Sequence, residues 1–487
     1  MKMGIPRIPA NPARATPPKL TYTRPHSTTP NTITPTTIKR VPSFFVQNFG
    51  CRAAQADGAA LESALSRDGH ANAPAASAAE LVILNTCTVT AEADNDLRQS
   101  IRRLRRENPA ARVLVTGCYA QRAPAEIAAL PGVDWVVGNS HKTQIAEIVS
   151  REWDAMPARD ALDFHGQIHI GDITAHTGFL AAPVEDAAGD RTRPNLKIQD
   201  GCNNVCTFCI IPSVRGRSRS APAGQVVEQV RALATRYKEI VLSGINLGRW
   251  GRERAFEQPN GIPPRLVTLV RQLLDETPVE RLRLSSVEPM DFSDDLLELM
   301  AASPRLASHV HAPLQSGCDA TLKRMKRRYR ARHYAARLER TRALMPHAAI
   351  GADVMTGFPG ETDAEFEESH RFIESMPFTY LHVFTYSERP GTPAESYEGA
   401  VPMRVRKERN AILRQLAASK NAAFRRQFIG RTLSVVTLEE GMPALSTNYL
   451  KVDLVHHRPA NQLIDINIGQ TTAAGLAEHN PFAVLGA

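Results

Sequence analysis

The 487-residue sequence lacks any long run of apolar residues, although 43% of its residues are hydrophobic. No stretch approaches the ~20 apolar residues of a membrane-spanning helix, and the N-terminus lacks the continuous apolar core of a secretory signal. We therefore expect a protein without a membrane partner that resides in the reducing cytoplasm. The length exceeds that of one ordinary domain, so we expect two to four domains.

Acidic residues are absent from the start of the chain, where the first Asp or Glu is Asp57. Residues 1–40 are rich in Pro and Thr, a composition that cannot form a packed core and is typical of a disordered tail. An organelle transit peptide would also be poor in acid and basic, and a misassigned start codon is a third explanation. We favour the disordered tail and assign it no function.

Cysteine is scarce, and the seven cysteines are Cys51, Cys87, Cys118, Cys202, Cys206, Cys209 and Cys318. In a reducing compartment, grouped cysteines indicate metal binding or catalysis rather than disulfides. Cys202, Cys206 and Cys209 form a C-x3-C-x2-C pattern, in which one loop can wrap a single inorganic centre. Structural zinc needs four ligands, and no fourth Cys or His lies close by in the sequence. Three thiolates instead suit a [4Fe-4S] cluster with one iron left free of protein ligands.

Such an open iron is what radical chemistry with S-adenosylmethionine (SAM) requires. The amino and carboxylate groups of SAM chelate it, and an electron from the reduced cluster cleaves SAM to a hydrogen-abstracting 5'-deoxyadenosyl radical. Phe208, between the last two cysteines, also fits a radical-SAM loop. The sequence therefore predicts that Cys202, Cys206 and Cys209 hold a catalytic cluster that depends on an external reducing electron donor.

The region that follows, residues 191–430, begins with six strand–loop–helix units. Strands are predicted at 196–199, 239–243, 281–286, 309–312, 349–355 and 381–385. This repeat predicts an incomplete (βα)6 barrel, in which the carboxyl ends of the strands carry the chemistry. The candidates there for holding SAM are Gly244, Glu288, Gln315 and Asp353. Each could equally be a turn residue, and we expect Cys318 to be a packing residue.

The preceding region, residues 41–150, alternates predicted strands and helices, which indicates a parallel α/β sheet. Cys51, Cys87 and Cys118 each follow the carboxyl end of a predicted strand, the edge where open α/β sheets build their sites. Free cysteines are often ordinary core residues, but three at equivalent strand ends favour convergence on a second [4Fe-4S] cluster. Residues 151–190 show no clear periodicity and are predicted to be a linker, with a possible strand at 167–173.

The C-terminal region, residues 431–487, has short alternating strands predicted at 432–438, 449–455 and 462–468, after a long basic helix at 405–427. This pattern is typical of a small OB-like β-barrel, a common RNA-binding module. The net charge is +9, and basic clusters occur at 102–106, 215–219, 323–332 and 425–431. Any one cluster could be a solvated helix face, but four of them favour contacts with RNA phosphates.

Several of these motifs together resemble the methylthiotransferase family. The motifs are GC at 50–51, NTCTVT at 85–90, TGCYAQ at 116–121, CNNVCTFCIIP at 202–212, RGRSRS at 215–220, PLQSG at 313–317, DVMTGFPGET at 353–362 and YSERPGTP at 386–393. The resemblance covers about residues 41–487, and the C-terminal barrel is similar to the TRAM domain of that family. One departure is Ala54, which stands where the most similar branch usually has Asn.

The resemblance implies a two-cluster radical-SAM enzyme, expected to be monomeric, that modifies tRNA. The first cluster would cleave SAM, the second would hold or supply sulfur from an external source, and a second SAM would donate the methyl group. The 85–90 and 116–121 motifs are most similar to the branch that methylthiolates carbon 2 of N6-threonylcarbamoyladenosine at tRNA position 37. Arg215, Arg217 and Arg389 are candidates for binding the threonylcarbamoyl carboxylate.

Three alternatives remain open at this point. Two lie within the same reaction class, namely methylthiolation of isopentenyladenosine in tRNA and methylthiolation of a ribosomal protein. The third is a non-catalytic iron–sulfur or zinc protein that binds RNA. Reductive cleavage of SAM, together with iron and sulfide content, would distinguish an enzyme from the last of these.

Overall fold

The computed structural model describes residues 42–88, 91–155, 165–175, 178–179, 192–257, 261–439 and 441–480. These residues belong to one compact unit, and the tail predicted at 1–40 lies outside them. Among the described residues, no helix is long and apolar enough to cross a membrane.

The N-terminal domain is a parallel sheet with strands in sequence order, flanked by helices. Its described strands are β1 (Phe44–Asn48), β2 (Leu81–Thr86), β3 (Arg112–Gly117), β4 (Trp135–Gly138) and β5 (Gln167–His169). Its described helices are α1 (Arg52–Arg67), α2 (Ala91–Glu107), α3 (Cys118–Arg122), α4 (Pro124–Ala128) and α5 (Ile145–Glu152). β2 is buried at every position, as expected for a central parallel strand covered on both faces.

One strand of the first sheet, β5, lies within residues 151–190, which the sequence predicts to be a linker. This strand pairs in parallel with β4, from Gln167 opposite Trp135 to His169 opposite Val137, and extends the first sheet. The strand predicted at 167–173 is thus present over three residues, but its pairing with β4 is not predicted, because the strand is short and mostly exposed.

The central domain contains six parallel strands in sequence order and one short antiparallel strand among its described residues. The strands are β6 (Asn195–Asp200), β7 (Arg219–Ser220), β8 (Glu239–Gly244), β9 (Arg281–Leu284), β10 (His309–His311), β11 (Ala349–Thr356) and β12 (Tyr380–Thr385). The helices are α6 (Ile211–Arg215), α7 (Ala223–Ala234), α8 (Leu266–Glu276), α9 (Asp294–Ala302), α10 (Asp319–Arg324), α11 (Ala331–Leu344), α12 (Asp363–Ser375) and α13 (Met403–Arg426). All six strands predicted from the repeat are present.

These parallel strands form two sheets, β7-β6-β8-β9 and β10-β11-β12, that meet between β9 and β10. Backbone hydrogen bonds join them there, from Ala307 N to Leu282 O at 2.8 Å and from Val287 N to His311 O at 3.0 Å. One apolar core contains residues of both sheets and of the helices between their strands. The carboxyl ends of consecutive strands are thereby held next to one another.

The C-terminal domain is a small closed barrel with strand order β13-β14-β15-β17-β16. Its strands are β13 (Thr432–Thr437), β14 (Pro443–Ser446), β15 (Lys451–Asp453), β16 (Leu463–Thr471) and β17 (Leu476–Glu478). The sequence pattern missed β14 and β17, because strands of three or four residues show too little alternation. The barrel core includes Phe424 from α13 and Phe428, which anchor it to the central domain.

A buried ion pair of the central domain also holds this barrel in place. The Arg283 guanidinium donates to both oxygens of Glu239, at 2.8 and 3.1 Å, and to the carbonyls of Ser446 and Thr447 in the barrel. Burial raises the pKa of Glu239, but Arg283 and other arginines outweigh this effect and lower the pKa to about 2. Glu239 is therefore ionised at neutral pH and pairs fully with Arg283.

Candidate active site

The first cysteine set lies in the loop that follows β6, at the carboxyl end of the parallel strands. Cys209 N donates to Cys206 O at 3.2 Å, so the loop folds back on itself between these two cysteines. Thr207 pins the loop from outside, since its amide donates to Met325 O at 3.2 Å and its hydroxyl to Arg324 O at 3.0 Å. The loop is thus held in place by contacts to the far side of the domain.

Hydrogen-bond donors surround these sulfur atoms. Cys202 Sγ accepts from the Asn204 amide at 3.4 Å and from Asn246 Nδ2 at 3.6 Å. Cys206 Sγ accepts from Arg327 Nη1 at 3.3 Å. Donors aimed at sulfur favour the thiolate form, which is the form that binds metal.

Three negatively charged thiolates close together in this loop would repel one another unless positive charge lies between them. Burial raises the pKa of Cys209 to about 12, and the neighbouring Cys206 and Cys202 contribute in the same direction. A metal cluster supplies the missing positive charge and displaces the thiol protons. The first cysteine set therefore fits a [4Fe-4S] cluster in both donor chemistry and electrostatics.

Two of the predicted SAM residues lie beside this set. Gly244 packs against Gln199, whose Oε1 would be 2.9 Å from a Cβ added at Gly244, so a side chain here would disturb the base of the loop. Glu288 forms an ion pair with Arg327, the same guanidinium that donates to Cys206. Both residues are thus connected to the cysteine loop through one intermediate side chain.

The other two, Gln315 and Asp353, are joined through their backbones. Gln315 N donates to Asp353 O at 2.8 Å, and Gln315 has a φ of +69°, a left-handed conformation that costs energy outside glycine. His311 and His382 lie 3.4 and 3.2 Å from Asp353 Oδ1. Burial raises the pKa of Asp353, but these two histidines lower it below its ordinary range, so Asp353 is a charged acceptor. Such backbone strain is concentrated at binding sites.

The second cysteine set lies at the carboxyl ends of β1, β2 and β3, as the sequence predicts. Cys51 caps α1 and is exposed, whereas Cys87 and Cys118 are buried. Gly50 has a φ of +91°, and a Cβ there would lie 2.8 Å from Cys87 Sγ. Gly117 has a φ of +104°, and a Cβ there would lie 2.3 Å from the Thr86 carbonyl. Glycine before Cys51 and before Cys118 therefore lets the three strand ends approach one another closely.

The two cysteine sets meet where the N-terminal and central domains are in contact. Cys118 packs in an apolar cluster with Ile210 and Val214, which follow Cys209 in sequence. Asn139 Nδ2 donates to Val214 O at 2.7 Å and to Cys118 Sγ at 3.6 Å, which connects the same two elements. The second cysteine set is thereby linked to the segment that directly follows Cys209.

Comparisons with known proteins agree with this arrangement. Residues 43–138 match the Uncharacterized protein family UPF0004, and residues 196–373 match the Radical SAM superfamily. The chain is 37% identical to threonylcarbamoyladenosine tRNA methylthiotransferase MtaB of Bacillus subtilis, over 83% of this chain and 88% of that protein. It is 33% identical to the protein of the same name from Aquifex aeolicus, over 87% of this chain and 99% of that protein.

The chain belongs to the radical-SAM methylthiotransferase family. This family membership implies SAM and a [4Fe-4S] cluster. The chain is also 35% identical to tRNA-2-methylthio-N(6)-dimethylallyladenosine synthase of Parafrankia sp., over 84% of this chain and 80% of that protein. Among solved structures, the radical SAM methyltransferase TsrM of Kitasatospora setae aligns with a TM-score of 0.52 over 72% of this chain and 74% of that chain, at 14% identity. That likeness supports the radical-SAM fold alone.

Arg327 is the residue of this methylthiotransferase site that sequence reasoning assigned to the wrong role. It was grouped with a basic cluster predicted to contact RNA, but the structure buries it against Glu288 and Cys206. Asn246 was passed over as part of a strand-end loop, although it contacts Cys202. A linear run of basic residues does not reveal which member turns inward, so the signal was absent for Arg327.

Two predicted carboxylate-binding arginines are already occupied by acids of the protein. Arg389 is buried and donates to Asp94 at 2.9 Å, and Arg215 is buried and donates to Asp57 and Asp200. Their predicted role is therefore wrong for the arrangement seen here, because charges that look free in the sequence are neutralised across the domain contact. Arg217 is exposed and stays a candidate.

Arg215 is part of a larger ionic group at this contact, which we call the interdomain charge cluster. Its members are Asp57, Lys142, Lys197, Asp200, Arg215 and Arg219. Burial raises the pKa of Asp57, but Lys142, Lys197 and Arg215 outweigh it and lower the pKa well below its ordinary range. Burial likewise raises the pKa of Asp200, but Lys197, Arg215 and Arg219 outweigh this effect and lower it, so both acids are ionised. Asp57 joins the two domains through its ion pairs with Lys197 and Arg215.

Proposed function

We propose that this chain adds a methylthio group to carbon 2 of N6-threonylcarbamoyladenosine at position 37 of tRNA. The observation that carries the proposal is the packing of Cys118 against Ile210, which brings two three-cysteine sets together at one domain contact. The relatives named for this reaction align over most of the chain. An adenine carbon–hydrogen bond resists polar catalysis, which gives a reason for radical chemistry.

Cys202, Cys206 and Cys209 would hold the catalytic cluster, within an incomplete (βα)6 barrel formed by the parallel strands of the central domain. When bound, this cluster and SAM supply a 5'-deoxyadenosyl radical. Arg327, which donates to Cys206 and pairs with Glu288, would hold Glu288 beside the cysteine loop, and Glu288 would accept from the amine of SAM. Gly244, Gln315 and Asp353 line the same strand ends and would contact the rest of SAM. An external reductant is required.

Cys51, Cys87 and Cys118 would hold a second [4Fe-4S] cluster that carries sulfur from an external source. Their burial differs in a way that suits this role: Cys87 and Cys118 are enclosed, whereas Cys51 leaves one side accessible. Ala54, in the position where the similar branch has Asn, is buried, and its carbonyl accepts from Asn85 Nδ2 at 2.6 Å. Its backbone therefore still ties α1 to the end of β2.

Substrate choice is tested with two tRNAs, one carrying N6-threonylcarbamoyladenosine and one carrying isopentenyladenosine. The anaerobically reconstituted protein, given SAM, reductant and sulfide, is expected to methylthiolate the first and leave the second essentially unmodified. Nucleoside mass spectrometry measures both products in one digest. Turnover of the isopentenyl tRNA alone would overturn the substrate proposal and leave the reaction class standing.

The C-terminal barrel would act as an OB-like TRAM module that binds tRNA. Lys451 is exposed on β15, and its replacement by Glu is expected to weaken tRNA binding and reduce the slope of log affinity against log salt by about 1. The exposed Arg271 on α8, changed to Glu, is the matched control for one reversed charge on an outer helix. Filter-binding or anisotropy titrations at several salt concentrations measure the tRNA affinity of each variant and its dependence on salt. Equal effects of the two variants would argue against a specific role of the barrel.

A further inference from the structure

The interdomain charge cluster has more positive than negative charge. The four cations Lys142, Lys197, Arg215 and Arg219 face two carboxylates, Asp57 and Asp200, so the cluster carries an excess of two positive charges. Most of these side chains are almost completely buried. An unbalanced buried charge is costly, so an anion close by is needed to complete the arrangement.

Arg215 is the member of this cluster that directly follows, in sequence, a residue in contact with the second cysteine set. Its residue surface is 1% exposed, and its Nε has no hydrogen-bond partner among the described residues. Val214, its neighbour in α6, packs against Cys118. Asn139 Nδ2 donates to Val214 O at 2.7 Å and to Cys118 Sγ at 3.6 Å, which connects the backbone next to Arg215 to the second cysteine set.

Lys142 approaches the same set from the N-terminal domain. Its Nζ donates to Asp57 Oδ2 at 3.1 Å and to Asn85 Oδ1 at 3.2 Å, and Asn85 lies two residues before Cys87. Two buried cations, one from each domain, thus flank the strand ends that carry Cys51, Cys87 and Cys118.

We infer that Arg215 is a positioning residue for the second cluster, whose fixed positive charge balances the three thiolates and raises the cluster's reduction potential. This inference rests on the proposed function, which places a cluster on Cys51, Cys87 and Cys118. Reduction adds one negative charge, and a buried cation close by favours the reduced form because Coulomb interactions are weakly screened there. The central domain thereby tunes a cluster whose ligands all belong to the N-terminal domain.

The test is a redox titration monitored by electron paramagnetic resonance on protein with Cys202, Cys206 and Cys209 changed to Ala, which isolates the second cluster. Adding Arg215→Met is expected to reduce the ratio of reduced to oxidised cluster about tenfold at a fixed potential, a shift of about 59 mV to lower potential. Arg215→Lys keeps the charge and is expected to stay near the parent. Arg219→Met removes an equal charge from the same charge cluster, but the Arg219 guanidinium points to the carbonyls of Arg215 and Arg217. Its shift is expected to be several-fold smaller.

A second arm uses protein with Cys51, Cys87 and Cys118 changed to Ala, where Arg215→Met is expected to leave the potential of the first cluster unchanged. Equal shifts in reduction potential for Arg215→Met and Arg219→Met, or no shift for Arg215→Met, would overturn the inference about Arg215. Neither result would contradict the presence of the second cluster. Absence of any cluster in the first parent protein would instead overturn that part of the proposed function, and the inference with it. If circular dichroism shows that Arg215→Met does not fold, Lys142→Met is measured with the same expected direction and the same criteria.

Discussion

The protein with Cys202, Cys206 and Cys209 changed to Ala is expected to lose reductive SAM cleavage completely and to retain one cluster. The three sulfur atoms lie in one loop, and hydrogen-bond donors point to two of them. Burial raises the pKa of Cys209 to about 12, so this residue becomes a thiolate at neutral pH only when a metal displaces its proton. Without this set, the central domain has no cluster on which SAM could be chelated beside Glu288, and the retained cluster is the one proposed to carry sulfur. Iron and sulfide analysis measures the retained cluster, and chromatography of 5'-deoxyadenosine after dithionite reduction measures cleavage.

Cys318→Ala is the matched control for this prediction. Cys318 is also a buried cysteine of the central domain, but its sulfur contacts Glu368 at 3.2 Å and lies at the start of α10. We expect this variant to keep both clusters and to cleave SAM normally. Continued 5'-deoxyadenosine formation by the triple variant would show that the catalytic cluster is held elsewhere.

The protein with Cys51, Cys87 and Cys118 changed to Ala is expected to show the opposite pattern. It should cleave SAM at a rate close to that of the parent, because the first loop is pinned by Thr207 within the central domain. Methylthiolation of tRNA should fall below detection, since the cluster proposed to carry sulfur would be lost. One cluster should remain by iron and sulfide content.

The two triple variants together separate the roles of the two sets. Formation of 5'-deoxyadenosine and formation of methylthiolated nucleoside are measured in the same reactions. If the variant without Cys51, Cys87 and Cys118 still methylthiolated tRNA, the second cluster would have no part in sulfur transfer. Loss of SAM cleavage in that variant would show instead that the contact through Cys118 and Ile210 is needed to shape the first site.

The features that could be predicted from the sequence are those that depend on the spacing of neighbouring residues. The C-x3-C-x2-C loop, the strand-end position of Cys51, Cys87 and Cys118, and the parallel strands before them are all local patterns of cysteines and apolar residues. The structure places each of these cysteines where the pattern predicted. The short strands β14 and β17 are not predicted, and β5 is predicted as a strand but not as part of the first sheet, because these short segments are held by pairing with their neighbours.

Long-range charge pairing, both within the central domain and across the domain contact, was the part that could not be predicted from the sequence. Arg327, Arg215 and Arg389 all looked like exposed phosphate or carboxylate ligands, yet each is buried against an acid far away in sequence. Glu288 is 39 residues from Arg327, and Asp57 is 158 residues from Arg215, although Arg215 also pairs with Asp200, which is 15 residues away. No periodicity links residues at such separations, so only the packed domains reveal the partners.

Nucleoside analysis of cellular tRNA with and without this gene tests the central claim most directly. Total tRNA from the two strains is digested and compared by mass spectrometry, with a plasmid copy of the gene as the restoring control. We predict that 2-methylthio-N6-threonylcarbamoyladenosine disappears in the deleted strain, that unmodified N6-threonylcarbamoyladenosine rises in its place, and that the plasmid restores the original pattern. An unchanged amount of the methylthiolated nucleoside in the deleted strain would contradict the account.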